Sequence, residues 1–295
     1  MATSEIEIGV IGGSGLYEME ELVVAEERRI ETPFGDPSDA YVLGELAGRP
    51  VAFLARHGRG HRLMPSELNF RANVYGFKLL GVERILSISA VGSMKLAYEP
   101  THIVVPDQFF DRTRHRVDTF FGSGLVAHVS MADPVCGEMV DVAVEAARAA
   151  GATAHLGGTY LCMEGPQFST RAESEIYRSW GVDVIGMTNL QEARMAREAE
   201  ICYATLAMVT DYDCWHEEEE AVHTATILEV LRQNVATGQR VVAEMIRRLP
   251  ARAADHPCAH ALEGALVTDP SLAPEKTLRD LEPILGKYLD RAPSS

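Results

Sequence analysis

Short runs of apolar residues alternate with longer amphipathic stretches along most of this chain. The runs are rich in Val, Ile and Leu and are bounded by Gly or Pro, which is typical of strands buried on both faces. The predicted strands cover residues 6–11, 40–46, 51–55, 84–90, 102–105, 158–163, 182–185 and 202–209. Helical periodicity predicts helices over residues 69–80, 137–150, 170–180, 191–199 and 224–248, two of them closed by Gly81 and Gly151.

Strands that alternate with helices of this length indicate a largely parallel sheet covered by helices. The predicted fold class is therefore α/β, a single-domain α/β/α sandwich with a mixed, largely parallel sheet. Residues 1–250 are expected to form this domain. Residues 251–295 begin rich in Ala, Pro and His and end in a short helical pattern over 275–289. They are too short to bury a core of their own, so we predict a C-terminal appendage packed on the same domain.

Composition narrows the possible partners. The chain has 295 residues, is 46% hydrophobic and carries a net charge of −16. A nucleic acid or an anionic membrane needs a basic patch, so neither is expected as a partner. The five cysteines include no Cys-x-x-Cys pair, so no metal site and no disulfide framework is predicted. The start lacks a hydrophobic signal core and no apolar run is long enough to span a bilayer, so we expect a cytoplasmic protein.

Three loops rich in hydrogen-bond donors follow predicted strands. Gly12-Gly13-Ser14-Gly15 follows the first, Arg56 and His57 follow the strand over 51–55, and Ser89 and Ala90 end the strand over 84–90. Backbone N–H groups, hydroxyls and an arginine fork together suit a phosphate. Taken alone, the glycine loop is about as consistent with a simple turn, and it does not fit a dinucleotide fingerprint. If the three loops converge at one sheet edge, they form a site for inorganic phosphate.

Two carboxylates, Asp211 and Asp213, follow the apolar run over 202–209. Because side chains alternate along a strand, we expect the pair to project to the same side. In a partly dry pocket the two groups repel, so at least one should hold its proton more tightly than in water. Such a pair can accept from a ring amino group and donate to a ring nitrogen, as adenine recognition requires. For an isolated Asp-x-Asp, a capping or solvated role is the commoner outcome.

Taken in order, these motifs resemble the purine nucleoside phosphorylase family, and within it the 5′-methylthioadenosine phosphorylases. The N-terminal matching segments are Ile11-Gly12-Gly13-Ser14-Gly15-Leu16, Thr32-Pro33-Phe34-Gly35-Asp36-Pro37-Ser38-Asp39, Ala55-Arg56-His57-Gly58-Arg59, Met64-Pro65-Ser66, Asn69-Phe70-Arg71-Ala72-Asn73 and Ser89-Ala90-Val91-Gly92-Ser93. The C-terminal ones are Glu164-Gly165-Pro166-Gln167-Phe168-Ser169-Thr170-Arg171-Ala172-Glu173, Gly186-Met187-Thr188 and Thr210-Asp211-Tyr212-Asp213-Cys214-Trp215.

The resemblance implies a role for each matching residue. Its implied phosphate-binding residues are Ser14, Arg56, His57, Ser89, Ala90 and Thr188. Its implied substrate-binding residues are Ala90, Phe168, Ser169, Met187, Asp211, Asp213, Thr224 and His128, of which Phe168 would stack on the purine and Met187 would lie over the ribose. Asp211 and Asp213 would be catalytic. The resemblance also implies a homotrimer in which His128 enters the 5′ pocket of the adjacent subunit.

The implied reaction is phosphorolysis of 5′-methylthioadenosine, with adenosine as a further possible substrate, to adenine and 5-methylthioribose 1-phosphate. Phosphate attacks C1′ as the bond to N9 breaks, the sugar becomes oxocarbenium-like, and Asp211 protonates N7 of the leaving purine. Inorganic phosphate is then a co-substrate, and no cofactor and no metal are expected. Two alternatives stay open: a 6-oxopurine nucleoside phosphorylase, which would favour an amide at position 211, and a Rossmann-type nucleotide-binding protein.

Overall fold

A computed structural model describes residues 6–13, 15–16, 18–216, 224–252 and 255–289, without the side chains of residues 224–229 and 231. Within these residues the chain forms one sheet of eleven strands. In chain order the strands are β1 Ile8–Gly12, β2 Val23–Arg28, β3 Tyr41–Leu46, β4 Arg49–Ala55, β5 Arg84–Ser93, β6 Ile103–Val105, β7 Gln108–Arg112, β8 Ala154–Leu156, β9 Thr159–Met163, β10 Val184–Gly186 and β11 Cys202–Asp211.

The sheet is mixed and mostly parallel, as predicted. Its main path runs β2-β3-β4-β1-β5-β10-β9-β7, while β11 pairs with β5 and β6, and β6 pairs with β8. The central strands β1, β5 and β11 run parallel to one another, so their carboxyl ends share one edge. In open α/β sheets ligands bind at such edges. The α/β fold class is therefore confirmed, and the topology brings the ends of β1, β5 and β11 together.

Seven α-helices accompany this sheet in the described residues. They are α1 Phe70–Leu79, α2 Gly137–Ala149, α3 Arg171–Ser179, α4 Asn189–Glu198, α5 Thr224–Arg248, α6 Glu275–Asp280 and α7 Glu282–Leu289. Capping residues in the sequence fix the ends of several of these helices. Asn69 caps α1 by accepting from the Ala72 N–H, and Thr170 caps α3 in a reciprocal capping box with Glu173. Gly81 follows α1 with a φ of 84°, a left-handed conformation that glycine adopts without strain.

The prediction missed three strands. β2 is exposed along its whole length, so no burial pattern marks it, and it pairs with β3 at one end of the main path. β7 is polar and partly exposed, and β8 has only three residues. These strands form through backbone pairing with a neighbour, which hydrophobic periodicity does not report.

The C-terminal segment contacts the sheet and helices through specific polar groups. The Tyr75 hydroxyl donates to the Asp280 carbonyl at 2.7 Å, and Lys287 pairs with Glu200 at 2.5 Å. Glu200 is buried, so this ion pair fixes α7 against the residues that precede β11. The helical pattern predicted over 275–289 is two helices, since α6 ends before Leu281 and α7 begins after it. Among the described helices, none is both long and apolar enough to cross a membrane.

The cysteines correct one expectation from the sequence. All five are free thiols, but Cys136, Cys202 and Cys258 lie together with His256 instead of being scattered. Their ligand atoms lie within 4.8 Å of one another. The start of α2, the start of β11 and the C-terminal segment meet here, so residues far apart in the chain form a group that has the composition of a metal site.

Candidate active site

Strand β5 is the backbone of the candidate site. Its first part pairs with β1, its last two residues pair with β10, and β11 runs parallel to most of its length. Most of β5 is buried, but Ala90 near its carboxyl end is exposed. An exposed residue in a central strand marks an opening at the sheet edge. Ser89 precedes Ala90 along β5, and Gly92 lies two residues after it.

Arg56 contacts β5 close to this opening, through the Ile88 carbonyl, and is almost fully buried. Its Nε donates to Glu192 Oε1 at 2.5 Å, and its Nη2 donates to Ser87 Oγ at 2.6 Å. Its Nη1 donates to the Ile88 carbonyl at 2.9 Å. The backbone N–H of Arg56 also donates to the Gly12 carbonyl, which joins β4 to the glycine loop. The guanidinium edge expected to grip phosphate therefore faces a buried carboxylate.

The polar network around Arg56 extends to residues that the sequence reasoning did not single out. Ser87 Oγ donates to Glu192 Oε2 at 2.7 Å, and the Tyr203 hydroxyl donates to the same oxygen at 2.9 Å. Asn189 Nδ2 donates to Ser87 Oγ at 2.8 Å. A buried carboxylate needs hydrogen-bond partners. Glu192, which lies on the buried face of a helix, was therefore a signal in the sequence that could have revealed this polar network.

His57 adjoins Arg56 and is mostly buried. Its Nδ1 lies 2.8 Å from the Leu63 carbonyl, so Nδ1 carries the proton, and its ring stacks on His61 at 4.2 Å. Burial, followed by the charge of Arg56, lowers the pKa of His57 to about 4. The imidazole is therefore neutral at neutral pH, and its Nε2 is a hydrogen-bond acceptor.

Ser89 and Thr188 meet around the buried Tyr160. Ser89 Oγ lies 3.5 Å from the Tyr160 hydroxyl, and the same hydroxyl interacts with the backbone of Thr188. Thr188 is the N-cap of α4, and its side chain makes no capping hydrogen bond. The N-terminus of a ten-residue helix with a nearby serine hydroxyl favours an anion. Ser14, which was also predicted to bind phosphate, lies outside the described residues.

Asp211 and Asp213 flank Gly92, which follows Ala90 along β5. A methyl group on Gly92 would come within 3.2 Å of Asp211 Oδ1 and 3.3 Å of Asp213 Cβ. The expected reason for this proximity was wrong. β11 ends at Asp211, and Asp213 adopts a left-handed φ of 53°, so a turn and not strand alternation brings them together. The Asp213 N–H donates to Asp211 Oδ1 at 2.7 Å, which fixes this turn.

One carboxyl of the pair holds its proton more tightly, as predicted. Burial, aided by the charge of Asp211, raises the pKa of Asp213, although the Ser174 hydroxyl opposes the shift by donating to Asp213 Oδ2 at 2.5 Å. Asp211 instead accepts from the Thr210 hydroxyl at 2.6 Å and from the Asp213 N–H. The sequence reasoning gave the proton to Asp211, whereas the raised pKa falls on Asp213.

The remaining substrate-binding candidates surround the opening unevenly. Met187 directly follows β10, and Ile185 of that strand pairs with Gly92. The sulfur of Met187 lies against Gly165. Ser169 is half-buried, and its carbonyl accepts from the Cys214 thiol, so it lies beside the Asp213 turn. Phe168 is 76% exposed. Thr224 begins α5, but its side chain is not among those described.

His128 lies apart from the paired carboxylates. It is exposed, its backbone N–H donates to the Ala265 carbonyl, and the residue lines a cavity of about 370 Å³. That cavity is also lined by Asp118, Arg194 and Glu198. Burial raises the pKa of Glu198 to about 7. The cavity that His128 lines therefore includes residues of α4 from its own chain and does not include Asp211 or Met187.

Arg116 is a basic residue near the site that the sequence reasoning missed. Its side chain is almost fully buried, and its Nη1 donates to the Met187 carbonyl and, at 2.9 Å, to Gln191 Oε1. Its Nη2 donates to the Glu164 carbonyl at 2.7 Å. It also lines a second cavity of about 320 Å³ together with Ser66 and His115. Arg116 thus fixes the segment on which Met187 lies.

Fold and site together define an α/β protein with paired carboxylates and a helix N-terminus at one sheet edge. A family model described as the phosphorylase superfamily matches residues 7–247. The chain belongs to this superfamily, which confirms the family resemblance of the motifs and excludes the Rossmann-type alternative.

Similar proteins share nearly the whole chain. An S-methyl-5′-thioadenosine phosphorylase from Koribacter versatilis is 60% identical over 284 residues, which cover 96% of this chain and 97% of that protein. One from Gloeobacter violaceus is 57% identical, with 98% of each chain covered. The crystal structure of a methylthioadenosine phosphorylase from an antarctic soil metagenomic library has a TM-score of 0.91 and 49% identity, covering 96% of this chain and 100% of that one. Methylthioadenosine phosphorylase from Schistosoma mansoni in complex with adenine has a TM-score of 0.82 and 36% identity, covering 88% and 96%.

Proposed function

We propose that this protein cleaves 5′-methylthioadenosine with inorganic phosphate to give adenine and 5-methylthioribose 1-phosphate. The protein is an enzyme of the pentosyltransferase class. The observation that carries the proposal is the Asp211 and Asp213 pair beside Gly92, at the edge where β5 also presents Ser89. The names of its relatives, 50–60% identical over nearly the full length for several of them, support the same reaction.

Base recognition is assigned to the carboxyl pair. Asp213 has a raised pKa, so it is the partner suited to donate to N7, while Asp211 is suited to accept from the 6-amino group. Protonation at N7 neutralises the negative charge that the purine ring develops as the bond to N9 breaks. Phe168 is exposed next to Ser169 and supplies an aromatic face that can cover the base.

Inorganic phosphate is assigned to the edge formed by Ser89, Thr188 and the glycine loop, with no organic cofactor. The start of α4 and the Arg56 charge favour an anion there, against a net charge of −16. The neutral His57 can accept a hydrogen bond from a protonated phosphate oxygen. Arg56 is held by Glu192, so we assign to it a role through its charge and the backbone it fixes.

The chemical step follows from this arrangement. A phosphate oxygen attacks C1′, the bond from C1′ to N9 breaks, and the electron pair passes to the purine while Asp213 delivers its proton. The sugar carries positive charge between the phosphate anion and the leaving base, so bound phosphate stabilises the transition state as well as supplying the nucleophile. Direct displacement inverts the configuration at C1′. Met187, held by Arg116, is assigned to the ribose.

The 5′ pocket is assigned to two subunits of a homotrimer. His128 is exposed and lines a cavity with Asp118 and Glu198, away from the carboxyl pair of its own chain. The exposed apolar side chains of Val117 and Val126 lie in the flanking segments and suit burial at an interface. A methylthio group favours an apolar pocket, and cyclic symmetry gives three equivalent sites. We also assign the protein to the cytoplasm, which the free thiols of its cysteines support.

A 6-oxopurine phosphorylase is the second candidate. A carbonyl at position 6 needs a donor, whereas Asp211 accepts two hydrogen bonds from its own chain and offers oxygen atoms to the base. The site therefore favours a 6-amino purine.

The test is a release assay with methylthioadenosine, adenosine and inosine, each with and without phosphate. We expect adenine release from methylthioadenosine only when phosphate is present, and little release of hypoxanthine from inosine. Nuclear magnetic resonance of the product should show the α-anomer of the sugar 1-phosphate, because the substrate is the β-anomer. Release without phosphate, or a preference for inosine, would contradict the proposal.

A further inference from the structure

Four side chains that the proposed reaction does not use lie together at the far end of β11. Cys136 is the N-cap of α2, Cys202 is the first residue of β11, and Cys258 lies in a short 3-10 turn, Pro257–His260, that His256 caps. The three cysteines are buried, and His256 is mostly buried. The three cysteines are free thiols, and the four ligand atoms lie within 4.8 Å of one another.

The separations approach those of a tetrahedral zinc site. His256 Nδ1 lies 3.5 Å from Cys202 Sγ, and the four ligand atoms, one from each side chain, lie within 4.8 Å of one another. Zn–S bonds of about 2.3 Å and Zn–N bonds of about 2.0–2.1 Å give a tetrahedron whose edges are roughly 3.5–3.8 Å. A small closure of the group would therefore bring all four atoms to bonding distance of one ion.

A second contact orients the histidine as metal-binding histidines usually are. Glu138 Oε2 lies 3.2 Å from His256 Nε2 and can accept its N–H, which leaves the lone pair on Nδ1. Carboxylates commonly fix the tautomer of a metal ligand in this way. In this structure Nδ1 accepts a hydrogen bond from the Cys258 N–H at 3.2 Å, and a bond to a metal ion would replace that hydrogen bond.

A buried arginine with an unused N–H donor lies beside the group. Arg84 is fully buried and is the direct neighbour of Cys202 across the parallel strands, so the two side chains share a face of the sheet. Its Nη1 donates to Glu7 Oε1 at 2.6 Å and its Nη2 to Glu138 Oε1 at 3.3 Å, so two carboxylates pair with its charge, whereas its Nε has no hydrogen-bond partner among the described residues. An unused buried N–H donor favours a nearby acceptor, and a thiolate sulfur is such an acceptor.

We propose that Cys136, Cys202, Cys258 and His256 bind one Zn²⁺ as a structural site. Sulfur and imidazole ligands favour zinc over magnesium or calcium. Four protein ligands leave no open position, so the ion does no chemistry on the substrate. β11 has ten residues, and Asp211 at its other end is therefore roughly 30 Å away. The ion joins the C-terminal segment to α2 and to the start of the strand that ends in the active site.

The first test measures metal in the purified full-length protein. After expression with zinc in the medium, elemental analysis should find about one zinc per chain. His256→Ala should lose the metal, whereas His256→Cys, which restores a fourth ligand, should retain it. Cys162→Ser changes a buried cysteine outside the group and should retain it too. Retention of full zinc by His256→Ala would overturn the site.

Two further measurements need no variant. X-ray absorption at the zinc edge should show three sulfur neighbours at about 2.3 Å and one nitrogen at about 2.0 Å. Alkylation under denaturing conditions followed by mass spectrometry should find all five thiols reduced. A zinc-free protein that takes up no added zinc or cobalt, or a disulfide within the group, would refute the proposal. Both readouts are independent of catalytic activity.

Glu138→Gln tests the orienting contact. The loss of the charged acceptor for His256 Nε2 should weaken zinc binding by about 10–100-fold in competition with a chelator. The exposed Glu145 on the same helix provides a matched control, and Glu145→Gln should leave the affinity unchanged. Equal affinity in the two variants would show that Glu138 does not support a zinc ligand.

Discussion

Arg56 and Glu192 form a buried ion pair directly behind the candidate phosphate site. The Arg56 Nε donates to Glu192 Oε1 at 2.5 Å, both side chains are almost fully buried, and Ser87 hydrogen-bonds to both. The edge of the guanidinium that would form two parallel bonds with phosphate is thus used by a carboxylate. Arg56 holds the Ile88 carbonyl in place as well, so it links the charge of the site to the strand that presents Ser89.

We expect Arg56→Ala to raise the KM for phosphate much more than the KM for nucleoside, because the positive charge behind the anion is lost. The variant should also lose about 3–5 kcal/mol in the free energy of unfolding, since Glu192 is left buried without its partner. Steady-state kinetics and denaturant unfolding measure the two effects.

The double variant Arg56→Met with Glu192→Leu separates charge from stability. Two apolar side chains remove the unpaired charge, so stability should largely return while phosphate binding stays weak. If the double variant regained phosphate affinity, the role of Arg56 would be purely structural.

Substitution of the carboxyl pair should separate recognition from proton transfer. Asp211→Asn replaces an acceptor by a group that can donate to a carbonyl. The ratio of the rate on inosine to the rate on adenosine should therefore rise, by the equivalent of about 1–3 kcal/mol. Asp213→Asn removes the acidic proton and should mainly lower kcat for both substrates. Unchanged adenosine-to-inosine ratios in Asp211→Asn would remove Asp211 from base recognition.

Ser174 should set the upper limit of the active pH range. Its hydroxyl donates to Asp213 Oδ2 and thereby lowers the pKa of Asp213, in opposition to burial. In Ser174→Ala this pKa should rise further. Because a general acid must be protonated, the decline of kcat/KM at high pH should shift to higher pH in the variant. A shift to lower pH would mean that Asp213 is not the acid.

Glu198 should make stability depend on pH. Its pKa in the folded protein is raised from 4.5 to about 7 by burial, so the folded protein binds a proton that the unfolded chain has released. The bound proton therefore contributes about 3 kcal/mol to the free energy of unfolding. This contribution is fully present below about pH 4.5 and is lost as the pH rises through about 7. In Glu198→Gln the free energy of unfolding should vary less across this range. The exposed Glu145→Gln should behave like the original protein, and an unchanged profile in Glu198→Gln would assign the dependence to another group.

His128 tests the proposed assembly. His128→Ala should raise the KM for methylthioadenosine more than the KM for adenosine, and should leave the KM for phosphate nearly unchanged. Light scattering should find a trimer for both proteins. A fully active monomer would contradict the shared pocket, as would a variant whose 5′ preference does not change.

The sequence alone determined the features that arise from local patterns. Apolar runs such as 202–209 predict buried strands because burial on both faces requires continuous hydrophobicity, and Asn69 and Gly81 mark the ends of α1 because they satisfy or terminate its backbone. The motifs were also sufficient for the family, which the family model confirms. The exposed strand β2 left no such pattern, because its stability comes from pairing.

Tertiary structure decided which groups face one another and with what charge. Glu192 takes the guanidinium of Arg56, and burial together with the charge of Asp211 raises the pKa of Asp213, because both outcomes depend on burial and on partners that the fold brings together. The gathering of Cys136 and Cys258, which are more than a hundred positions apart, likewise requires the packed fold. Sequence spacing specifies contacts within an element, whereas contacts between elements depend on how the whole sheet and its helices pack.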